Sequence, residues 1–97
     1  LIVLHIVARS IDDNLIKRIA SGDAVLFIEN AVFGLLQGGH DIQNIIRQLT
    51  TRRLYVLGED LETRGIAGNK LALDIEIIDY MGFVQLTEEH TVIQSWY

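Results

Sequence analysis

Four short apolar runs lie along the chain with helix-patterned segments between them, and this alternation restricts the fold more than any other feature of the sequence. Leu1–Val7, Ala24–Ile28, Leu54–Leu57 and Ile75–Ile78 are apolar nearly throughout, with His5 and Glu76 as exceptions, rather than on every second residue. A strand with one wet face alternates. A strand without a polar side is covered on both faces, and such strands belong to a parallel sheet carrying its crossover helices. No linker, repeat or proline divides the 97 residues. The expectation is an α/β fold: one domain over residues 1–97, a small three-layer sandwich with a mainly parallel four- to five-stranded sheet.

The connecting segments fit that scheme. Ser10, with Asp13 three residues on, reads as the cap of a helix whose buried stripe is Ile11, Leu15, Ile16 and Ile19; Ser21-Gly22-Asp23 ends it. Asn30 is placed to cap a short helix carrying Val32, Leu35 and Leu36, which Gly38-Gly39 breaks. In Asp41–Leu49 the apolar residues Ile42, Ile45, Ile46 and Leu49 recur at helical spacing. Glu59–Arg64 reads as a helix with acids in its first turn, stopped by Gly65, and residues 66–74 as irregular. Tyr80–Thr87 is the last predicted helix, offering Tyr80, Phe83, Val84 and Leu86 to the core. The segment Thr91–Tyr97 keeps Val92, Ile93, Trp96 and Tyr97 apolar, which predicts docking on the domain or on another subunit.

Composition then excludes several functions. The sequence holds no cysteine, which removes a disulfide scaffold, a thiolate zinc site and a catalytic thiol. Its net charge of −5, with cations scattered apart from the doublets Lys17-Arg18 and Arg52-Arg53, argues against independent gripping of a nucleic acid backbone. No apolar run approaches the ~20 residues of a membrane span, and Leu1–Val7 lacks the features of a secretory signal, so the expected compartment is the cytoplasm. A hydrophobic fraction of 49% and a mean hydropathy of +0.28 are high for so small a domain; a surface covered by a partner accounts for them, as do parallel strands buried on both faces.

In such a sheet, ligands bind at the carboxyl ends of the strands. After the first strand, Arg9 and the Ser10 hydroxyl can hold an anion, or Ser10 can simply cap the helix. No glycine-rich phosphate loop accompanies them. Glu29-Asn30 and Gly58-Glu59-Asp60 place carboxylates at the next two strand ends, where capping and the helix dipole account for them; neither a metal nor a cofactor is expected. His5, His40 and His90 form no triad with a serine and are read as structural. The tail residues Val92, Ile93, Trp96 and Tyr97 are the candidate subunit contact. A separate reading of the same residues is a stand-alone flavodoxin-like ligand-binding domain using Arg9, Ser10 and Glu29.

Four ordered stretches carry a resemblance. LHIVARS begins at Leu4, SGDAVLFIENAVFGLL at Ser21, LYVLGEDLETRGI at Leu54, and IDYMGFVQLTEEHTVIQSW at Ile78; in this order and spacing they resemble the TusB/DsrH family over nearly the whole chain. The resemblance implies a DsrEFH-like fold and assembly with C- and D-type paralogues (TusC-like and TusD-like) as a dimer of heterotrimers. Such a complex passes persulfide sulfur toward 2-thiolation of the wobble uridine of tRNA, with the sulfur-bearing cysteine on the D-type subunit. In sulfur-oxidising bacteria the H-type relative sits in a similar hexamer of reversed metabolic role. Some H-type relatives carry a cysteine in the first helix, near Leu15 here. Leucine cannot hold a persulfide, so the resemblance implies an accessory subunit of the tRNA-modifying branch.

Overall fold

The apolar runs become strands β1 (Val3–Val7), β2 (Ala24–Phe27), β3 (Arg53–Leu57) and β4 (Glu76–Ile78), and the apolar tail becomes a fifth, β5 (Val92–Trp96). Helices α1 (Asp13–Lys17), α2 (Gly58–Thr63) and α3 (Tyr80–Glu89) and a 3-10 segment (Glu29–Leu35) connect them, and a short 3-10 turn (Gly68–Lys70) forms within the stretch expected to be irregular. The computed structural model describes residues 2–37, 48–49, 53–71 and 75–97. The predicted break at Gly38-Gly39, His40 and most of the predicted helix 41–49 lie outside the described residues, although Leu49 is fully buried in the main core.

The sheet order is β4-β3-β2-β1-β5, and each of these strand pairs is parallel. The chain steps outward in one direction from β1 to β4, then returns across the sheet to lay β5 on the other side of β1. Right-handed crossovers therefore put the first connections on one face and the returning helix on the opposite face. The packing agrees. Val7, Val25, Phe27 and Val56 join Leu15 of α1, Val32 of the 3-10 segment and Leu61 of α2 in one cluster. Leu4, Ile6, Ala24 and Leu26 join Leu86 and Phe83 of α3 in the other. Alternate residues of each central strand thus enter different cores, which is why these runs carry so few polar side chains.

Several local expectations are corrected. The cap of α1 is Asp12, whose Oδ1 accepts from the Leu15 N–H at 2.8 Å, while Ser10 stands exposed two residues earlier. The predicted buried stripe Ile11, Leu15, Ile16 and Ile19 is nevertheless correct, because periodicity fixes the face even where the start is misplaced. Asn30 caps nothing; it sits inside the 3-10 segment, and its Oδ1 accepts from Arg64 Nε at 3.1 Å. The last helix runs on to Glu89, and Tyr80 on its first turn is 63% exposed rather than core. Gly65 stops α2 as predicted, at φ +68° with open space where a Cβ would project. Gly65→Ala is therefore expected to destabilise by about 1–2 kcal/mol through backbone strain alone, measured by urea unfolding. Asp12→Ala is expected to lower stability by about 1 kcal/mol, the usual worth of an N-cap, read in the same assay.

Candidate functional site

The return of the chain to β5 creates a topological switch point between β1 and β5, and two groups predicted separately meet there. The Ala8 N–H donates to the Trp96 carbonyl at 2.8 Å, continuing the ladder past β1. Arg9 then lies with its guanidinium carbon 6.0 Å from the centre of the Trp96 ring, a cation–π distance. Its Nη1 also donates to Asp12 Oδ2 and to the Ser10 carbonyl, each at 3.2 Å. The Leu15 N–H, aided by Arg9, holds the Asp12 carboxyl below its ordinary value against a smaller opposing effect of desolvation. An anion at Arg9 and Ser10 has to compete with Asp12 for the guanidinium.

Behind Trp96 runs a buried polar chain. Trp96 Nε1–H donates to His5 Nδ1 at 3.1 Å, so that nitrogen carries no proton and the imidazole hydrogen sits on Nε2. His5 Nε2 donates in turn to Asp23 Oδ2 at 2.9 Å. Asp23 accepts as well from the Val3 N–H at 3.1 Å and the Ala20 N–H at 3.0 Å. Both His5 and Asp23 are only 3% exposed. Burial pushes the Asp23 carboxyl up, but the hydrogen bonds from His5, Val3 and Ala20 outweigh it and hold the group below its ordinary value. The chain Trp96–His5–Asp23 thus ties β5, β1 and the entrance to β2 together on one face of the sheet. His5, read from the sequence as structural, is buried with a hydrogen-bond partner on each ring nitrogen. Asp23 was read only as part of a helix stop. His90 is likewise structural, 8% exposed between the Leu86 carbonyl at 2.7 Å and Arg53 Nη2 at 2.9 Å.

The carboxylates at the end of β3, Asp60 and Glu59, act as staples to neighbouring elements. Glu29 has a left-handed backbone, φ +52°, and its N–H donates to Asp60 Oδ2 at 2.6 Å. Asp60 also pairs with Arg64 at 3.6 Å, and Arg64 reaches Asn30. Glu59 Oε2 accepts from the Tyr80 N–H at 2.9 Å, tying α2 to the start of α3. Among the described residues no three His, Asp or Glu side chains converge as metal ligands.

Open volume lies elsewhere, at the carboxyl ends of β3 and β4, where a cleft of about 800 Å³ is lined by α2, by the Ile66–Gly68 stretch and by the start of α3. Sequence reading missed it. Its walls are glycine backbone, and the three glycines, Gly58, Gly68 and Gly82, are far apart in sequence.

The remaining tail residues face outward: Ile93 is 43% and Tyr97 84% exposed, while Trp96 is half-buried against the core. Ile93 lies on β5 and Tyr97 directly follows it; the strand's other edge, away from β1, is unpaired among the described residues.

Comparison with known proteins places this geometry. The family model described as "DsrH like protein" matches residues 7–93. The chain is 34% identical over 84 residues to Protein TusB of Pectobacterium parmentieri, covering 87% of this chain and 85% of that protein. It is 35% identical over 98 residues to Protein TusB of Photorhabdus laumondii subsp. laumondii, covering 97% of this chain and all 100% of the relative. Against Protein TusB of Escherichia coli (strain K12) the identity is 30% over 82 residues, covering 84% and 83% of the two chains. Among solved structures, the crystal structure of the ychN protein from E. coli superposes with a TM-score of 0.78 at 18% identity, covering 99% of this chain and 100% of that one. That likeness fixes the architecture, a three-layer α/β sandwich of the DsrEFH-like, flavodoxin-like kind. The sequence matches fix the kinship: the chain belongs to the TusB/DsrH family of sulfur-relay proteins.

Proposed function

We propose that the chain is a non-catalytic subunit of a cytoplasmic sulfur-relay complex, assembled with C- and D-type paralogues as a dimer of heterotrimers and serving 2-thiolation of the wobble uridine of tRNA. The observation that carries this reading is chemical. A persulfide relay needs a nucleophilic thiolate at each station that bears sulfur, and this sequence, from a family of relay proteins, contains no cysteine. Leu15, near which some H-type relatives hold a thiol, is sealed in the core at 0% exposure. What the chain offers instead is surface: β5 and the residue after it carry Ile93 and Tyr97 outward beside Val92, with Trp96 anchoring the strand from within. On this reading Val92, Ile93 and Tyr97 touch a partner, and Trp96 supports that contact through His5. Arg9 and Ser10, at the same end of the sheet, are the place for any anion the complex handles.

The reading is tested by loading sulfur. Incubating the reconstituted complex with a radiolabelled persulfide donor should label a partner subunit and leave this polypeptide unlabelled on a non-reducing gel. Label retained covalently on this chain contradicts it.

A further inference from the structure

The cleft at the ends of β3 and β4 lies on the half of the sheet away from β5, and none of the staples described above fills it. Its floor is apolar, formed by Leu61, Ile66, Ile77 and Ile78. Glycine keeps it open: a Cβ on Gly68 would come within 2.7 Å of Ile77 Cδ1, and one on Gly82 within 2.9 Å of Ile78 Cβ. The apolar surface continues outward over Ile77, Tyr80 and Met81, which are 47%, 63% and 73% exposed. The rim is acidic. Among the described residues Glu59, Glu62 and Asp79 line it, no Lys, Arg or His does, and none of the three carboxylates is in an ion pair. Glu59 and Asp79 each accept one backbone N–H, from Tyr80 and Gly82, which fixes two of the carboxylates at the mouth without neutralising them.

An apolar floor under a ring of unpaired negative charge selects its occupant. A small anion or a nucleic acid backbone is repelled by the rim. A hydrated divalent cation needs a dense set of oxygen ligands, and isoleucines cannot supply them. A lysine or arginine side chain satisfies both parts, its aliphatic stem lying on the floor and its head meeting the carboxylates. A neighbouring apolar residue of the same segment then covers Tyr80 and Met81. We infer that this cleft receives a segment of a partner polypeptide carrying a lysine or arginine beside an apolar side chain. The cleft and the β5 edge lie at opposite sides of the sheet, so loss of binding at one leaves the other measurable.

The test is a titration of the isotope-labelled chain, followed by its amide NMR spectrum, with the blocked peptide Leu-Arg-Ile-Arg-Val and with its counterpart bearing Glu at both Arg positions. The basic peptide should give saturable shifts centred on the Gly58, Gly68 and Gly82 amides, weakened by added salt, and the acidic peptide should give none. Glu62→Lys, which breaks no hydrogen bond of the fold given above, should weaken binding about tenfold, as expected where a rim attraction becomes a repulsion. Met81→Asp, at another exposed position, provides a second variant if the first does not fold. Absence of saturable shifts, equal shifts with both peptides, or binding unchanged in a folded variant overturns the proposal.

Discussion

Asp23→Ala should lower the stability of the domain by about 3–4 kcal/mol, since it strands three buried or part-buried donors that each cost about 1–3 kcal/mol when left unpaired. One substitution removes the acceptor for the Val3 and Ala20 N–H groups and for His5 Nε2, leaving donors stranded where Asp23 is only 3% exposed. For a domain of this size that corresponds to a loss of roughly 15–25 °C in melting temperature. Scanning calorimetry measures it, and a drop below a few degrees would show that the array contributes no more than a surface pair. The same carboxylate sets a pH dependence. Its folded-state pKa is depressed, so its contribution is fully present above the unfolded value of about 3.9 and is lost as pH falls through the lower folded value. Wild-type stability should therefore decline on acidification below about pH 4, and the Asp23→Ala variant should show a shallower decline there.

The double variant Ile93→Asp/Tyr97→Asp should abolish assembly with the C- and D-type partners while leaving the isolated fold nearly intact. Ile93 projects from β5 and Tyr97 from just beyond its end, at 43% and 84% exposure, so charge at these positions affects the lone chain by no more than about 0.5 kcal/mol each. At an interface the same charges would be desolvated without partners, a loss of about 2 kcal/mol or more at each anchoring position, or a thousandfold together. Size-exclusion chromatography of the mixed subunits at micromolar concentration reads the first effect and a thermal melt of the variant alone reads the second. A variant that co-elutes with the partners as the wild type does removes β5 from the interface.

The parts of the fold legible in the sequence were those written in local pattern. Continuous apolar runs gave β1 and β2 because both sheet faces are covered there, whereas β4, at the sheet edge, leaves Glu76 and Ile77 exposed despite its apolar run; the stripe Ile11-Leu15-Ile16-Ile19 gave the buried side of α1. The tail was recognised as docked but not as β5, because Val92–Trp96 mixes Gln94 and Ser95 with apolar residues, as an edge strand does. Helix starts were misplaced where two capping residues compete: Ser10 and Asp12 both suit the role, and only tertiary placement of Ile11 in the core decides for Asp12. The long-range constellations were not legible. Asp23 and His5 meet only because β1 and β2 pair with Leu4 opposite Ala24, and Trp96 reaches His5 only because β5 pairs in parallel with β1. Register of this kind leaves no mark in a single sequence. The cleft was invisible for a related reason, since its walls are the absence of side chains at Gly58, Gly68 and Gly82.

The role proposed for the chain is that of a structural partner in a sulfur relay, and the native mass of the particle formed on co-expression with the C- and D-type paralogues tests it most directly. The expected result is a single species containing all three polypeptides in equal number. Recovery of this chain apart from both partners at micromolar concentration would contradict it.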